Sequence, residues 1–495
     1  MVPILLRESS ELDAAASLVE WPFILPHEFV RTLVAEGYLN VLVGDVKDIP
    51  GFWEHFLKDF PDHPAADGDK RLRSLGFTLY CDEAQSLNDN WMHLIFTSDL
   101  SPHLTDAGAS RFLMTIFPES RYVLNQDTGV NETLQGACQI IADSFNKLAN
   151  EGVDLREFPS EESILVATLH CFITGFRGDW KALKQVFNLR RHASTDEICW
   201  LCKACKGLDD DQSPLIFTDA RNSAAFWGTI GLEDPWSQSP SYATLVGFSG
   251  PGMIHADLLH VYHLGVGRDA CGALLKLMMS KYPTVFFEGN NIPAKMQAAT
   301  KQLKEYAALH KLPLRMKRFS KAKISWKKKS FPELKSSGYD TYVISRWLGH
   351  VLSLAQGRND EINKWATMMW AINLVLSLLS RAGRWLTPEE QDNKVVVGKI
   401  FVTIYLSLAF DSIQNNERCW RVRPKLHLLH HILLSSPQSF SNPNSFSTWM
   451  DEDSLKKQMK VLRKTDPRSA QLRMLQRWLL ALPQKFDMCN KKGPS

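Results

Sequence analysis

The spacing of apolar positions changes several times along the chain, and each change predicts an element. Dense apolar and β-branched residues in GFTLYCD (76–82) and WMHLIFT (91–97) predict two strands, with Asn88, Asp89 and Asn90 supplying the turn between them. A third strand is predicted over 112–117. The period then lengthens: Leu134, Ala137, Ile140, Ile141, Phe145 and Leu148 share one face of a helix over 133–148. A fourth, buried strand begins at Ile164, runs through Phe172 and Ile173, and ends at Gly175, Gly178 and Asp179. Directly behind it Trp180, Leu183, Val186, Phe187 and Leu189 return to helical spacing, with Lys181, Lys184, Arg190 and Arg191 on the opposite face. The order is three strands, a helix, a strand and a helix. Acids close the first and fourth strands, at Asp82 and Asp179, where a side chain is held rigidly yet reaches solvent.

The flanks read differently. Residues 1–70 mix short helical patterns with breaks at Pro22, Pro26, Pro50, Pro61 and Pro64, which predicts a helical arm packed on the next domain. Residues 207–251, rich in Gly, Ser, Pro and Asp, predict irregular structure. From 268 to 431 the pattern is helical, with helices expected over 274–279, 294–310, 342–355, 362–379 and 395–413. After a Ser/Pro/Asn loop, WMDEDSLKKQMKVL (449–462) opens an amphipathic helix, and the tail from Lys491 reads as disordered. Four segments follow: an N-terminal helical arm (1–70), an α/β core carrying a Cys-x-x-Cys (71–257), an all-helical block (258–435), and C-terminal helices that complete the core (436–495).

Composition narrows the function classes. With 495 residues, 44% of them apolar, the chain buries a substantial core. A formal net charge of +3 is nearly neutral at this size, so affinity for nucleic acid must come from local patches. Nine cysteines, mostly scattered singly, argue for a reducing compartment over a disulfide framework. The start, MVPILLRESSELDAA, has a five-residue apolar run followed by acids and does not read as a signal or transit peptide. The most apolar stretch, 395–410, is interrupted by Lys399, Thr403 and Ser407 and reads as a buried helix; no membrane partner is expected.

Two further features carry chemistry. Cys199, Cys202 and Cys205 stand in CxxCxxC spacing. Zn²⁺ takes four ligands, of which Cys199 and Cys202 supply two, with Cys205, His260, His427 or His430 as candidates for the rest. The alternative is a packed turn of reduced thiols. His263 and the adjacent His430 and His431 read otherwise as core or capping groups. RMKRFSKAKISWKKK (315–329) holds eight basic residues: Arg315, Lys317, Arg318, Lys321, Lys323, Lys327, Lys328 and Lys329. They could neutralise DNA phosphates while Phe319 or Trp326 stacks on an unpaired base. A solvated loop or a nuclear-import signal fits the same run.

Asp179-Trp180-Lys181-Ala182 followed by Cys199 and Cys202 resembles the second catalytic position of DDE transposases of the CACTA (En/Spm) type. The D-x-x-H of Asp257 and His260 is similar to a pattern of that family, as is the K-x-H-x-x-x-H of Lys425, His427 and His431. The resemblance spans about residues 71–470. It implies an α/β fold of RNase H-like type, its mixed-sheet core interrupted by a large all-helical insertion. It further implies that Asp82, Asp179 and Glu452 hold two Mg²⁺ (or Mn²⁺) ions for DNA cleavage and strand transfer. Double-stranded DNA ends are then the partner, with a homo-oligomer on paired ends and a nuclear location. One departure bears on the third acid: the family shows Glu followed by Arg, whereas Asp451, Glu452 and Asp453 are consecutive here, leaving Asp451, Asp453 and Asp257 as rivals. A catalytically inactive scaffold for DNA or protein binding, and an RNase H-like nuclease without strand transfer, are the alternatives.

Overall fold

In the computed structural model, which describes residues 1–11, 14–155, 168–208, 213–327 and 330–492, the turn expected at Asn88 is tight. Leu87 and Asn88 both adopt positive φ (52° and 62°), the conformation a two-residue hairpin turn needs, and asparagine tolerates it well. In the numbering used here, the N-terminal strands are β1 (Val2–Arg7) and β2 (Ala16–Trp21). The turn folds β3 (Ser74–Ser86) back as β4 (Asp89–Ser98), and β5 (Phe112–Pro118) pairs antiparallel with β4. A parallel neighbour for β3 requires a crossover. Helix α3 (Glu132–Asn150) supplies it, after α1 (Pro26–Ala35) and α2 (Ile49–Asp59). Its start is set by Asn131, whose side chain accepts the Leu134 amide. After the short β6 (Val153–Asp154), β7 (Thr168–Gly178) lies parallel to β3, giving the sheet order β5-β4-β3-β7-β6. The part of this strand expected over 164–167 falls outside the described residues.

Both faces of the sheet are covered, which is why its strands are apolar along their length. On one face Phe145 of α3 meets Phe77 and Phe96, at centroid distances of 5.9 and 5.6 Å. On the other, Phe52 of α2 lies so close to Gly76 that a Cβ there would be 2.8 Å from its ring.

The N-terminal arm is not helical at its start. Ile4 and Leu6 are buried and Leu5 between them is not, the period-two pattern of a strand, and β1 pairs with β2 as a hairpin. The five expected helices of the middle block are present as α5 (Gly267–Ser280), α6 (Ile292–Leu309), α7 (Gly338–Ser353), α8 (Asp360–Arg381) and α9 (Pro388–Gln414). They follow α4 (Trp180–Val186) and a stretch of short 3₁₀ turns. All five start earlier than the apolar pattern suggested, and in four of them a polar side chain (Asn291, Ser337, Asn359 or Thr387) caps the start. Helices α8 and α9 are long and apolar enough to cross a membrane by length and composition, and they pack against each other. The chain ends in α10 (Pro424–Leu434), α11 (Trp449–Leu462) and α12 (Ala470–Lys492). The tail expected to be disordered from Lys491 instead continues α12 through Lys492, and residues from 493 are not described.

Candidate metal centres

Strands β3 and β7 run side by side until Cys81 faces Gly178. Any side chain on Gly178 would collide with the Cys81 carbonyl, so glycine lets the strands close at this point. Asp82 comes next on β3, which does not end there as expected but stays paired with β4 as far as Ser86; Asp179 follows β7 directly, as the cap of α4. Above them α11 delivers Glu452, and a π-helical segment, Leu259–Val266, delivers His260. Ligand atoms of Asp82, His260 and Glu452 all lie within 4.8 Å of one another. Asp179 borders this group; its Oδ1 accepts the Ala182 amide (2.6 Å), capping α4.

Electrostatics at this group show carboxylates short of positive charge. Burial pushes the Asp82 carboxyl well above its ordinary range, and the neighbouring Asp179 charge adds to the shift; His260 and the Tyr80 hydroxyl (2.7 Å) pull the other way. Burial works against a charged His260 too, but hydrogen bonds to Asp257 and Glu452 outweigh it and hold the ring as imidazolium. Its Nδ1 is 2.5 Å from Asp257 Oδ2 and its Nε2 is 3.5 Å from Glu452 Oε1. Glu452, against the pull of burial, is kept ionised by that imidazolium. Lys425, from the first turn of α10, donates its ammonium to the His260 carbonyl at 2.9 Å. Oxygen donors this close suit a hard divalent cation, whose place among the charges the His260 imidazolium takes here.

Packing decides which of the three consecutive acids faces this group. Asp451 is fully buried and pairs with Arg177 (3.0 Å) and Arg111 (3.3 Å). Arg177 lies on β7 two residues before Asp179, so this clamp ties the helix bearing Glu452 to the strand bearing Asp179. Asp453 points to solvent and pairs with Lys457 at 2.9 Å. Successive helical residues diverge by about 100°, so with Asp451 turned inward only Glu452 reaches Asp82. Asp257 is not free to be a ligand. It accepts from the Leu259, His260 and Thr448 amides and from the Thr448 hydroxyl, holding His260 against the start of α11.

A second group forms behind α4. The Ile198 amide bonds to the Ala204 carbonyl (2.9 Å), closing a knuckle from which Cys199 and Cys202 project. Helix α10 presents His427 and His431, which share a face at i, i+4 spacing. All four ligand atoms lie within 4.8 Å and all four residues are buried. Cys202 Sγ is 3.3 Å from His427 Nε2 and 3.4 Å from His431 Nε2, and the two nitrogens are 3.1 Å apart. Burial alone would raise the Cys199 thiol, but the Cys202 hydrogen bond and the two histidines draw it well below its ordinary value; Cys202, bonded to that thiolate, is pushed up. A thiolate between imidazoles, with no carboxylate among the four, is a donor set for a soft-to-borderline cation.

Three candidates for this group are therefore corrected. Cys205 sits 3.5 Å from the Ser213 hydroxyl, outside the group. His260 belongs to the acid group. His430 turns edge-on to Trp227 (5.2 Å) and is driven down to about 3 by burial. His431, read from the sequence as a core or capping group, takes the fourth position. The i, i+4 relation to His427 was the available signal, but i+3 is also a neighbouring position, and the choice of His431 over His430 is made by packing, which turns His430 to Trp227.

The basic run lies in neither group. Arg315, Lys317, Arg318, Lys321, Lys323 and Lys327 are exposed, and Lys328 and Lys329 fall outside the described residues. Phe319 is buried and stacks on Trp347 (5.9 Å), so it is not available to a base; Trp326 is half-buried. No family model and no curated protein matches the sequence.

Proposed function

We propose that the protein is a DDE transposase-like polynucleotidyl transferase with an RNase H-like core, acting on double-stranded DNA ends in the nucleus. The observation that carries this reading is convergence. Asp82 and Glu452, far apart in sequence, come together with His260 where β7 ends alongside β3, and the Asp179 charge acts on Asp82 from the turn that follows β7. The sheet order β5-β4-β3-β7-β6, with Asp82 on β3 beside the end of β7 and Asp179 directly after β7, supports the fold assignment.

Asp82, Asp179 and Glu452 would hold Mg²⁺ or Mn²⁺, and Cys199, Cys202, His427 and His431 would hold a structural Zn²⁺. Divalent ions in such a site supply charge stabilisation and activation of water or a 3′ hydroxyl for phosphodiester cleavage and strand transfer. The chain's own contributions are positional. Asp451 fixes the turn of α11 that aims Glu452, and Asp257 fixes the ring of His260, which can carry a proton at Nε2 beside the carboxylates. Asp179 keeps one oxygen on the α4 amide, leaving the other for a cation.

A non-catalytic scaffold for DNA or protein partners is the second reading, favoured by the His260 imidazolium already lying among the carboxylates. Incubation with labelled DNA ends and Mg²⁺ or Mn²⁺ separates the readings. Cleavage and joining that are lost in Asp82→Asn and Glu452→Gln support the transferase; cleavage without joining marks a nuclease. Absence of any divalent-dependent cleavage by a folded, zinc-loaded chain leaves the scaffold. Assembly into a homo-oligomer on paired ends is read by light scattering with and without DNA.

A further inference from the structure

Away from both metal centres, the wall of one cavity is charged almost entirely with one sign. The cavity, about 720 Å³, is lined by Arg268, Arg315, Lys317, Arg318, Lys323 and Lys335. None of the six forms an ion pair within 4.0 Å among the described residues. Arg268 donates one amino group to the Ser336 carbonyl, and its Nε is buried with no hydrogen-bond partner. The one carboxylate at the wall, Asp340, is committed elsewhere: it is buried, and its Oδ1 accepts the amides of Arg315 (2.9 Å) and Met316 (3.3 Å).

That commitment distinguishes the cavity from a loosely solvated basic loop. Asp340 pins the strand of chain bearing Arg315 to α7, and the Phe319 amide bonds to Thr300 of α6 (3.0 Å). The Lys335 amide bonds to the Lys323 carbonyl (2.7 Å), and the Leu334 amide to the Arg268 carbonyl (3.0 Å). Six cations thus hang from backbone secured to three helices, which keeps like charges facing one concave surface. Such an arrangement repels itself unless an anion lies between.

Position identifies the anion. Gly338, which opens α7 beside the cavity, packs against Leu259 and Trp449, where a Cβ would lie 2.5 and 3.2 Å away. Leu259 precedes His260, and Trp449 lies one helical turn before Glu452. Gly338 therefore joins the cavity to the two segments, at Leu259 and Trp449, that carry His260 and Glu452.

We propose that this cavity binds consecutive phosphates of a nucleic-acid backbone, gripping the strand on which the acid centre acts. Its place in the reaction rests on the transferase reading; phosphate binding itself does not. The test uses the full zinc-loaded chain and a labelled 30-base-pair duplex, with anisotropy followed from 50 to 300 mM salt. Removing three lining charges (Arg268→Gln, Arg315→Gln, Lys335→Gln) is expected to weaken binding by about ten- to a hundredfold and to flatten the slope of log K against log salt by about 2 to 3. Lys301→Gln with Lys304→Gln, exposed on α6, should change neither by more than about threefold. Equal losses in both variants, or none in the first, overturn the proposal.

Tripolyphosphate distinguishes the source of the phosphates. If it displaces the duplex at concentrations where the duplex does not displace it, the cavity serves a free oligophosphate and the backbone assignment falls. Asp82→Asn keeps the two readings separate. Pocket-dependent binding without cleavage by the wild type sinks the transferase and leaves the pocket. Cleavage that is insensitive to the three lining substitutions, with unchanged affinity, does the reverse.

Discussion

The Cys199/Cys202/His427/His431 group and the Asp82/His260/Glu452 group are assembled from equally distant pieces of chain, yet they place opposite demands on their surroundings. The first is fully buried, uses sulfur and nitrogen, and takes four donors from two local units: a knuckle and one face of one helix. The second is partly open, uses mainly oxygen, and takes each donor from a different element, so its geometry depends on a sheet, a π-helical segment and α11 at once. A closed soft site stabilises the fold that forms it, whereas an open hard site concentrates like charge and costs the fold stability. Lys425 and His427 lie on the same helix, so α10 touches both: its ammonium braces the His260 carbonyl while its histidines face the thiols.

The largest expected effect breaks the comparison at the closed site. Cys202→Ser, or prolonged chelation, should lower stability by on the order of 5 kcal/mol or more, seen as an earlier thermal melt with loss of one bound zinc by elemental analysis. A melt unchanged by chelation would make this group a thiol cluster without a structural ion.

Next comes the clamp that serves the open site. Asp451→Ala leaves Arg111 and Arg177 buried without their carboxylate and should cost about 3 to 5 kcal/mol in denaturant unfolding. Asp453→Ala, on the same turn but in solvent, should stay within about 0.5 kcal/mol.

Asp82→Asn should behave oppositely to Cys202→Ser, abolishing divalent-dependent cleavage while raising the melting temperature. The sign follows from linkage. Because its folded carboxyl is raised, the native state binds the proton more tightly than the unfolded chain, so this group favours folding at low pH and loses that contribution as pH rises through the unfolded and then the folded value. Differential scanning calorimetry without and with Mg²⁺ reads both halves: the metal should stabilise the wild type and have little effect on the variant. A lower melting temperature for Asp82→Asn would contradict the picture of an overcrowded anionic site.

The smallest effect sharpens the closed side. Lys394, fully buried, donates to the carbonyls of Ile432 (3.2 Å) and Ser435 (2.7 Å) at the end of the histidine-bearing helix, and burial draws it down to about 7. The unfolded chain then holds the proton more tightly, so stability should rise with pH between about 7 and the ordinary lysine value of 10.5. Lys394→Met should flatten that slope in melts at pH 7 and 9.5.

Much of the α/β core was legible in the chain. Strand, turn and helix periods over 76–148 correspond to β3, β4, β5 and α3, because both sheet faces are covered and the apolar runs are dense. The N-terminal hairpin was not legible, since β1 and β2 are short and their alternation is diluted by neighbouring prolines and acids. Of the acids, Asp179 was visible as the residue that ends a strand, Asp82 was singled out although its strand runs on to Ser86, and His260 was considered for the cysteine site and not for the carboxylates. His430 is the core group it also read as, but it was named among the candidate ligands where His431 was not: adjacent histidines look alike until the helix is given a direction in space.

Residue order alone determined the alternation of strands and helices, the acid that follows β7 and caps α4, and the spacing that puts His427 and His431 on one face, because periodicity and capping act over a few residues. Only the tertiary structure decided that Glu452, not Asp451 or Asp453, turns toward Asp82, and that His260 joins the carboxylates and not the thiols. Those choices depend on buried arginines and on Asp257, contributed by segments hundreds of residues away, and burial of charge is settled by whatever partner the packing brings within reach.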